Sequence, residues 1–130
     1  MRQLIASAAI GLGLFVASAA AAQTPNIAGV WQLQGQIICG NRIVSGTPTC
    51  TFRQSGGRLS GECVGPNAAG PLAGFISGHK VAWTWSNRAT TSVGITGKTG
   101  LNGTYVDSHL IRGTMTSSAS ACKGTFTQTR

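Results

Sequence analysis

The chain has 130 residues and a formal net charge of +8, and only 9% of its residues are charged. Its two acidic residues, Glu62 and Asp107, stand far apart, so it lacks the paired carboxylates that acid–base hydrolysis needs. The chain after the first two dozen residues is rich in glycine, threonine and serine, and its apolar residues do not recur at helical spacing. This composition favours an all-β fold.

Residues 1–22 have the pattern of a bacterial secretory signal peptide. Arg2 supplies a positive charge, an apolar run begins at Leu4, and Ala20-Ala21-Ala22 supplies the small residues of a cleavage site. We expect cleavage after Ala22 and a single domain over residues 23–130, in the periplasm or outside the cell. A transmembrane anchor is the alternative interpretation of the run, but its alanine content and cleavage site favour a signal peptide, and we expect no membrane span in the mature chain.

The first predicted strand is Gly29–Cys39, in which apolar residues alternate with glutamines from Trp31 onwards. Alternation with a period of two places the apolar side chains on one face of a half-buried strand. Residues 40–48 then form a loop that can hold a short strand at Arg42–Ser45.

The clearest hairpin joins Thr49–Ser55 to Arg58–Val64 across Gly56-Gly57, because a two-residue type I′ turn needs positive φ at both central residues. In this register the numbers of facing residues sum to 113, which places Cys50 opposite Cys63. We count this position as a non-hydrogen-bonded pair, the closer type, where two cysteines can bridge without backbone movement. The hairpin therefore predicts a Cys50–Cys63 disulfide.

A second hairpin joins Pro71–Ser77 to Lys80–Ser86 across Gly78-His79. Trp83 and Trp85 lie on one face of its second strand and need a concave apolar interior to receive them. Both hairpins place an aromatic ring over a strand glycine, which also lets a sheet bend towards closure. The predicted pairs are Phe52 with Gly61 and Trp83 with Gly74.

The next segment, Thr90–Lys98, is interpreted as a strand with Val93 and Ile95 facing inward. Thr99–Tyr105 is ambiguous, either a bent continuation of that strand or a separate one. The prediction is thus about eight strands, or nine to ten if this segment is separate. The chain finishes with two further predicted strands, Leu110–Thr116 and Cys122–Arg130.

An even number of meandering strands lets the first and last strands pair and close an up-and-down antiparallel β-barrel. Cys39, late in the first strand, then faces Cys122, early in the last, and we prefer a Cys39–Cys122 disulfide. The main alternative is Cys39–Cys50, across the first loop. The same register places Gly35 opposite Phe126 and Trp31 opposite Arg130.

Short motifs in this order resemble the calycin barrels, the lipocalin and avidin families. Gly29-Val30-Trp31 is similar to their Gly-x-Trp start, and the Trp31–Arg130 contact is similar to the closure of lipocalins. Three further tripeptides resemble streptavidin-type chains: Leu59-Ser60-Gly61, Val81-Ala82-Trp83 and Ala89-Thr90-Thr91.

The resemblance implies a closed barrel with an interior ligand. Trp83, and Thr90 or Thr91, match positions that contact biotin in avidin-like chains. However, Gln32-Leu33 stands where that family has a Tyr-Asn pair, and the last predicted strand contains no aspartate. We therefore expect the architecture without tight biotin binding.

We expect no catalytic residues, no metal site and no cofactor. Asp107-Ser108-His109 contains the residue types of a catalytic triad, but adjacent residues in a turn cannot adopt its geometry. The two histidines, His79 and His109, both fall in predicted turns, and no metal-binding spacing such as Cys-x-x-Cys occurs.

The sequence thus predicts a secreted, non-enzymatic binding module for a small apolar or aromatic ligand. The candidate contacts are Trp83, Trp85, Trp31 and Phe52, for each of which plain core packing is the alternative. A protein-interaction domain or enzyme inhibitor is the second hypothesis, with residues 40–48 and 65–70 as contact loops. The dispersed positive charge is compatible with weak contact to anionic glycan or lipopolysaccharide, without specific nucleic-acid binding.

Overall fold

The computed structural model describes residues 24–117 and 122–130, so the predicted signal peptide, the first residue of the predicted domain and residues 118–121 lie outside the described residues. The described part is all β, without a helix that could cross a membrane. Its nine strands are β1 Gly29–Cys39, β2 Arg42–Gly46, β3 Thr49–Ser55, β4 Arg58–Val64, β5 Ala68–Ser77, β6 Lys80–Ala89, β7 Gly97–Asp107, β8 Leu110–Ser117 and β9 Cys122–Thr129.

The strands form a closed, up-and-down antiparallel barrel of eight strands with β2 as an extra strand. From β3 onwards each strand pairs with the next, and β1 pairs with both β3 and β9. The predicted fold class is therefore confirmed, as is the short strand in the first loop.

The extra strand β2 continues β3 in the same register against β1. Gly35 faces Gly46 on β2 and Gln32 faces Thr49 on β3, so facing residue numbers sum to 81 in both. Pro48 interrupts the strand because it has no N–H to donate, although its carbonyl still accepts a 2.9 Å hydrogen bond from the Leu33 N–H. The even number of strands needed for closure is thus preserved.

The predicted hairpin registers are confirmed, with Cys50 facing Cys63, Phe52 facing Gly61 and Trp83 facing Gly74. Both predicted disulfides form, Cys50–Cys63 and Cys39–Cys122. Gly35 also faces Phe126 across the closing seam between β1 and β9.

The pairing also fixes the stagger of the barrel. The stagger is found by moving from Gly29 to the residue that faces it on the next strand, and so on around the wall. This path returns to β1 at Cys39, which is bonded to Cys122. The shear number is therefore 39 − 29 = 10, and an eight-stranded interior is just wide enough to be filled or to hold one small ligand. The intermediate positions are Phe52, Gly61, Leu72, Trp85, Thr99, Ser117 and Cys122.

The prediction of a strand at Thr90–Lys98 is wrong. Residues 90–96 form a loop, and the ambiguous segment belongs to β7, which pairs with β6 so that Leu101 faces Trp83. Val93 is 74% exposed and Ile95 is 42% exposed, so neither lies in the packed core. The inward residues of β7 include Thr99 and Gly103, which weakens its apolar alternation and conceals the strand.

The core lies inside the barrel and consists mainly of apolar side chains. Inward residues alternate with exposed ones along the strands, as expected where one face of a sheet is solvated. The largest fully buried apolar side chains are Trp31, Phe52, Ile27, Leu33, Leu59, Leu101, Ile111 and Val81.

Candidate ligand-binding site

One end of the barrel is closed by the segment that precedes β1. Ile27 is fully buried, and its carbonyl accepts a 2.8 Å hydrogen bond from Trp31 Nε1. Gln54, at the end of β3, accepts from the Ile27 N–H through Oε1 at 2.8 Å and donates to the Pro25 carbonyl at 3.0 Å. The segment is therefore held across the barrel end as a plug.

Arg130 fastens the plug to the turn between β7 and β8. Its guanidinium donates to the carbonyls of Ala28 at 2.9 Å, Asn26 at 3.2 Å and Ser108 at 2.7 Å. It also lies 4.2 Å from the centre of the Trp31 ring, a cation–π distance. The predicted Trp31–Arg130 contact is thus confirmed, and this end of the barrel is called the closed end below.

The opposite end, called the mouth, holds a cavity of about 420 Å³, within the range of small-molecule sites. Its lining is mostly apolar side chains and glycine backbone, with hydroxyl and amide groups nearer the rim. Among the described lining residues none is charged. The apolar lining residues are Leu33, Ile37, Val44, Pro48, Pro66, Ala68, Trp85, Val93, Ile95 and Met115.

Trp85 provides the aromatic wall of the cavity. It lies on the inward face of β6, opposite Leu72 and Thr99 on the flanking strands. Its indole N–H donates to the Gly70 carbonyl at 3.1 Å, which fixes the ring against β5, and the side chain remains only partly buried. Part of the Trp85 side chain therefore lines the cavity.

The loop over residues 90–96 forms one side of the mouth and is anchored through Asn87. The Asn87 side chain donates to the Ile95 carbonyl at 2.6 Å and accepts from Thr99 Oγ1 at 3.1 Å. A second anchor is Asn67, whose carbonyl accepts from the Thr90 N–H at 2.8 Å. These bonds hold Val93 and Ile95 at the rim as apolar side chains without burying them.

Of the four aromatic residues predicted to contact ligand, only Trp85 is among the described residues that line this cavity. Trp83 and Phe52 pack edge to face below it, with ring centres 5.1 Å apart. Trp31 is fully buried at the closed end. A ligand-binding role for these three stays a prediction, while Trp85 has a position from which to make the contact.

Three buried polar atoms in the interior have no hydrogen-bond partner among residues 24–117 and 122–130. They are Nε1 of Trp83 and both amide atoms of Gln128. Gln128 is fully buried, between Leu33 and Ile111 on the flanking strands. Unpaired buried amides are unusual because each costs about 1–3 kcal/mol of desolvation.

The described residues contain no group of three or more histidine, cysteine or acidic side chains that could hold a metal ion. His79 packs against Tyr105, with ring centres 5.5 Å apart. His109 lies at the closed end, with its Nδ1 atom 3.1 Å from the backbone oxygen of Arg130. Glu62 is exposed on the outer face of β4, opposite Thr51. None of these groups lines the cavity.

Sequence reasoning missed several lining residues. Val44 falls on the predicted short strand but was not predicted as a contact, Pro48 falls in the predicted first loop, and Asn87 and Met115 were not singled out. A detectable signal existed for Asn87, because it continues the alternation of Val81, Trp83 and Trp85 by one further inward position. The rim around residues 90–96 had no such signal, since side-chain hydrogen bonds and not a strand ladder determine its shape.

Fold and cavity together define a closed β-barrel with one open, apolar mouth. No protein-family model matches the chain, and no curated protein matches it.

Proposed function

We propose that the protein is an exported, non-enzymatic β-barrel binding module that holds a small apolar or aromatic ligand in the mouth cavity, against Trp85. The observation that carries the proposal is the cavity itself, about 420 Å³ in volume and lined mainly by apolar side chains. Burial of apolar ligand surface in such a site is favourable by about 25 cal/mol per Å². At the closed end the plug with Ile27 occupies the barrel entrance, so the mouth is the end that is open to a ligand.

Two further observations support the non-enzymatic part of the proposal. Glu62 faces outward on β4 and Asp107 lies at the end of β7, at the closed end. Neither carboxylate can reach a ligand held at the mouth. The Thr99 hydroxyl and the Asn87 amide, both in buried lining residues, bond to each other and to backbone, which suits orientation of a ligand more than proton transfer.

Export is supported by the residue pattern of positions 1–22 and by the two disulfides. Disulfides persist mainly in oxidising compartments such as the periplasm or the exterior. Both bridges in this barrel join neighbouring strands, one between β1 and β9 and the other between β3 and β4. We infer that the domain works in such a compartment.

The test is an NMR titration of the tryptophan indole N–H signals with a panel of small apolar and aromatic compounds. We expect the Trp85 signal, assigned with Trp85→Phe, to shift on binding, while those of Trp31 and Trp83 move little. If no compound in the panel perturbs the Trp85 signal, the proposed function is wrong.

A matched pair of variants separates cavity binding from surface adsorption. Ala68 lines the cavity, whereas its neighbour Ala69 lies on the opposite face of β5, since side chains alternate along a strand. Ala68→Phe should block the cavity and reduce affinity at least about tenfold, while Ala69→Phe should bind normally. Equal affinity in the two variants would contradict cavity binding.

A second candidate, a protein-interaction role, is favoured by one specific feature. Ile38 and Ile43 face each other on the outer side of the β1–β2 hairpin and are 56% and 62% exposed. Paired exposed aliphatic side chains are typical of contact surfaces. If this role holds, Ile38→Ser with Ile43→Ser should abolish binding of a purified partner and leave ligand binding in the cavity unchanged.

A further inference from the structure

We propose that the ligand is a single-chain amphiphile with an anionic end, and that Arg42 binds this end at the mouth. The inference rests on the proposed function and adds the chemical class of the ligand. Its basis is the position of one basic side chain relative to the apolar wall of the cavity.

Arg42 stands on the face of β2 that continues the cavity wall. Ile37 faces Val44, and both line the cavity; two residues further along, Cys39 faces Arg42. Because side chains alternate along a strand, Arg42 shares the face of Val44, while Ile43 lies on the outer face. Arg42 is exposed and begins β2 at the rim, so its guanidinium can reach over the entrance.

Three other basic residues surround the mouth from the outer face of the barrel. Each is next in sequence to an inward residue near this end of its strand, so its own side chain points outward. These residues add positive potential around the mouth without entering the cavity. They are Arg88 near the end of β6, Lys98 near the start of β7 and Lys123 near the start of β9. Of the two acidic residues, Asp107 lies at the closed end and Glu62 lies on the outer face of β4, two residues from its mouth end. Basic residues therefore outnumber acidic ones around the mouth.

The cavity and its rim therefore favour different parts of a ligand: the cavity favours apolar groups and the rim favours a negative charge. The interior offers no charged partner among its described lining residues, and an ion buried there without a partner would be strongly unfavourable. A negative charge held at the rim can pair with the Arg42 guanidinium, which suits carboxylate geometry. A chain that is apolar along its length and anionic at one end satisfies both conditions.

Calorimetric titration with three single-chain probes tests the inference. Decanoate, decan-1-ol and decyltrimethylammonium have unbranched chains of nine or ten carbons and differ in the charge of the end group; all are used as monomers below their aggregation concentrations. We expect decanoate to bind about fivefold more tightly than decan-1-ol, as for one partly exposed ion pair. The cationic probe should bind most weakly, and added salt should reduce the differences.

The variants Arg42→Gln and Arg53→Gln have the same net charge but differ in position. Arg53 is exposed on β3 towards the closed end, facing Ser60, on the outer face of the barrel. The preference for decanoate should disappear in Arg42→Gln and persist in Arg53→Gln. Unchanged circular dichroism and midpoint of thermal unfolding in both variants would show that folding is unaffected.

The outcomes separate this inference from the proposed function. If decan-1-ol binds and decanoate is not preferred, the anionic ligand class is wrong. If the preference for decanoate survives Arg42→Gln, the assignment of the anionic end to Arg42 is wrong. In both cases the apolar cavity function stands. If none of the three probes binds, this inference is overturned, and the panel titration decides the wider function. Binding to phosphatidylglycerol vesicles without binding of monomeric decanoate would also overturn it, since a lipid surface would then be the partner.

Discussion

The two ends of the barrel are made by the same strands but joined in different ways. At the closed end the hairpins turn in two residues, at Gly56-Gly57 and Gly78-His79, and the plug carrying Ile27 covers the interior. At the mouth the connection from β4 to β5 runs over residues 65–67 and that from β6 to β7 over residues 90–96. Tight turns give rigidity, and the longer connections leave room for a cavity between them.

The tryptophans show the same contrast at the level of single residues. Trp31 is fully buried, hydrogen-bonded to the plug and covered by Arg130. Trp85 is hydrogen-bonded to Gly70 but only partly buried, with the cavity beside it. One indole thus contributes mainly to stability and the other is available for binding.

Removal of the disulfide at the mouth should have the largest effect on this comparison. Cys39 and Cys122 are 83 residues apart, and Cys50 and Cys63 are 13 apart. From loop length alone, the alanine double variants should lose about 4.5 and about 3 kcal/mol of unfolding free energy, respectively. Urea denaturation measures both losses, and the Cys39→Ala/Cys122→Ala variant should also bind ligand more weakly.

An equal or reversed order of stability would contradict the role given to the closing seam. In that case the pairing of β1 with β9 would be held mainly by its backbone ladder and side-chain packing, with little contribution from the bridge.

Alanine substitution of the two tryptophans should affect mainly stability at the closed end and mainly ligand binding at the mouth. Trp31→Ala should lower the unfolding free energy by about 3–5 kcal/mol, as for a buried aromatic residue. Trp85→Ala should lower it by about 1–2 kcal/mol, because less apolar area is lost, yet it should reduce ligand affinity. Urea denaturation and ligand titration of both variants check this, and a binding defect confined to Trp31→Ala would reverse the assignment of the mouth.

The smallest expected effects concern two buried amides. Gln128→Met removes an amide without a hydrogen-bond partner among the described residues and should raise the unfolding free energy by about 1 kcal/mol. Asn87→Ala removes an amide bonded to Ile95 and Thr99 and should lower it by about 1–2 kcal/mol. A marked loss of stability in Gln128→Met would show that its amide is hydrogen-bonded in solution.

Much of the wall could be predicted because its signals are local. Gly56-Gly57 fixes a turn, the turn fixes a register, and the register brings Cys50 and Cys63 together without any other information. Closure followed from the even strand count and from Cys39 and Cys122 falling at matching positions of the first and last strands. These inferences depend on the period of the strand, which the sequence carries directly.

The mouth could be predicted only in part. Val93 and Ile95 have the alternation of a strand, but side chains of Asn87 and the backbone of Asn67 hold their segment as a loop. Thr99 and Gly103 are inward residues of β7 without an apolar signal. Long-range hydrogen bonds decide such regions, and no local pattern reports them.

The central claim is that an apolar ligand enters the mouth cavity. A crystal structure with 10-bromodecanoate tests it most directly, because anomalous scattering locates the bromine without any assumption about how the ligand is placed in the electron density. The account predicts one bromine peak deep in the mouth cavity, near Leu33, Trp85 and Met115, with no peak at the closed end. A bromine bound only on the outer surface, or beside the plug at Ile27, would contradict it.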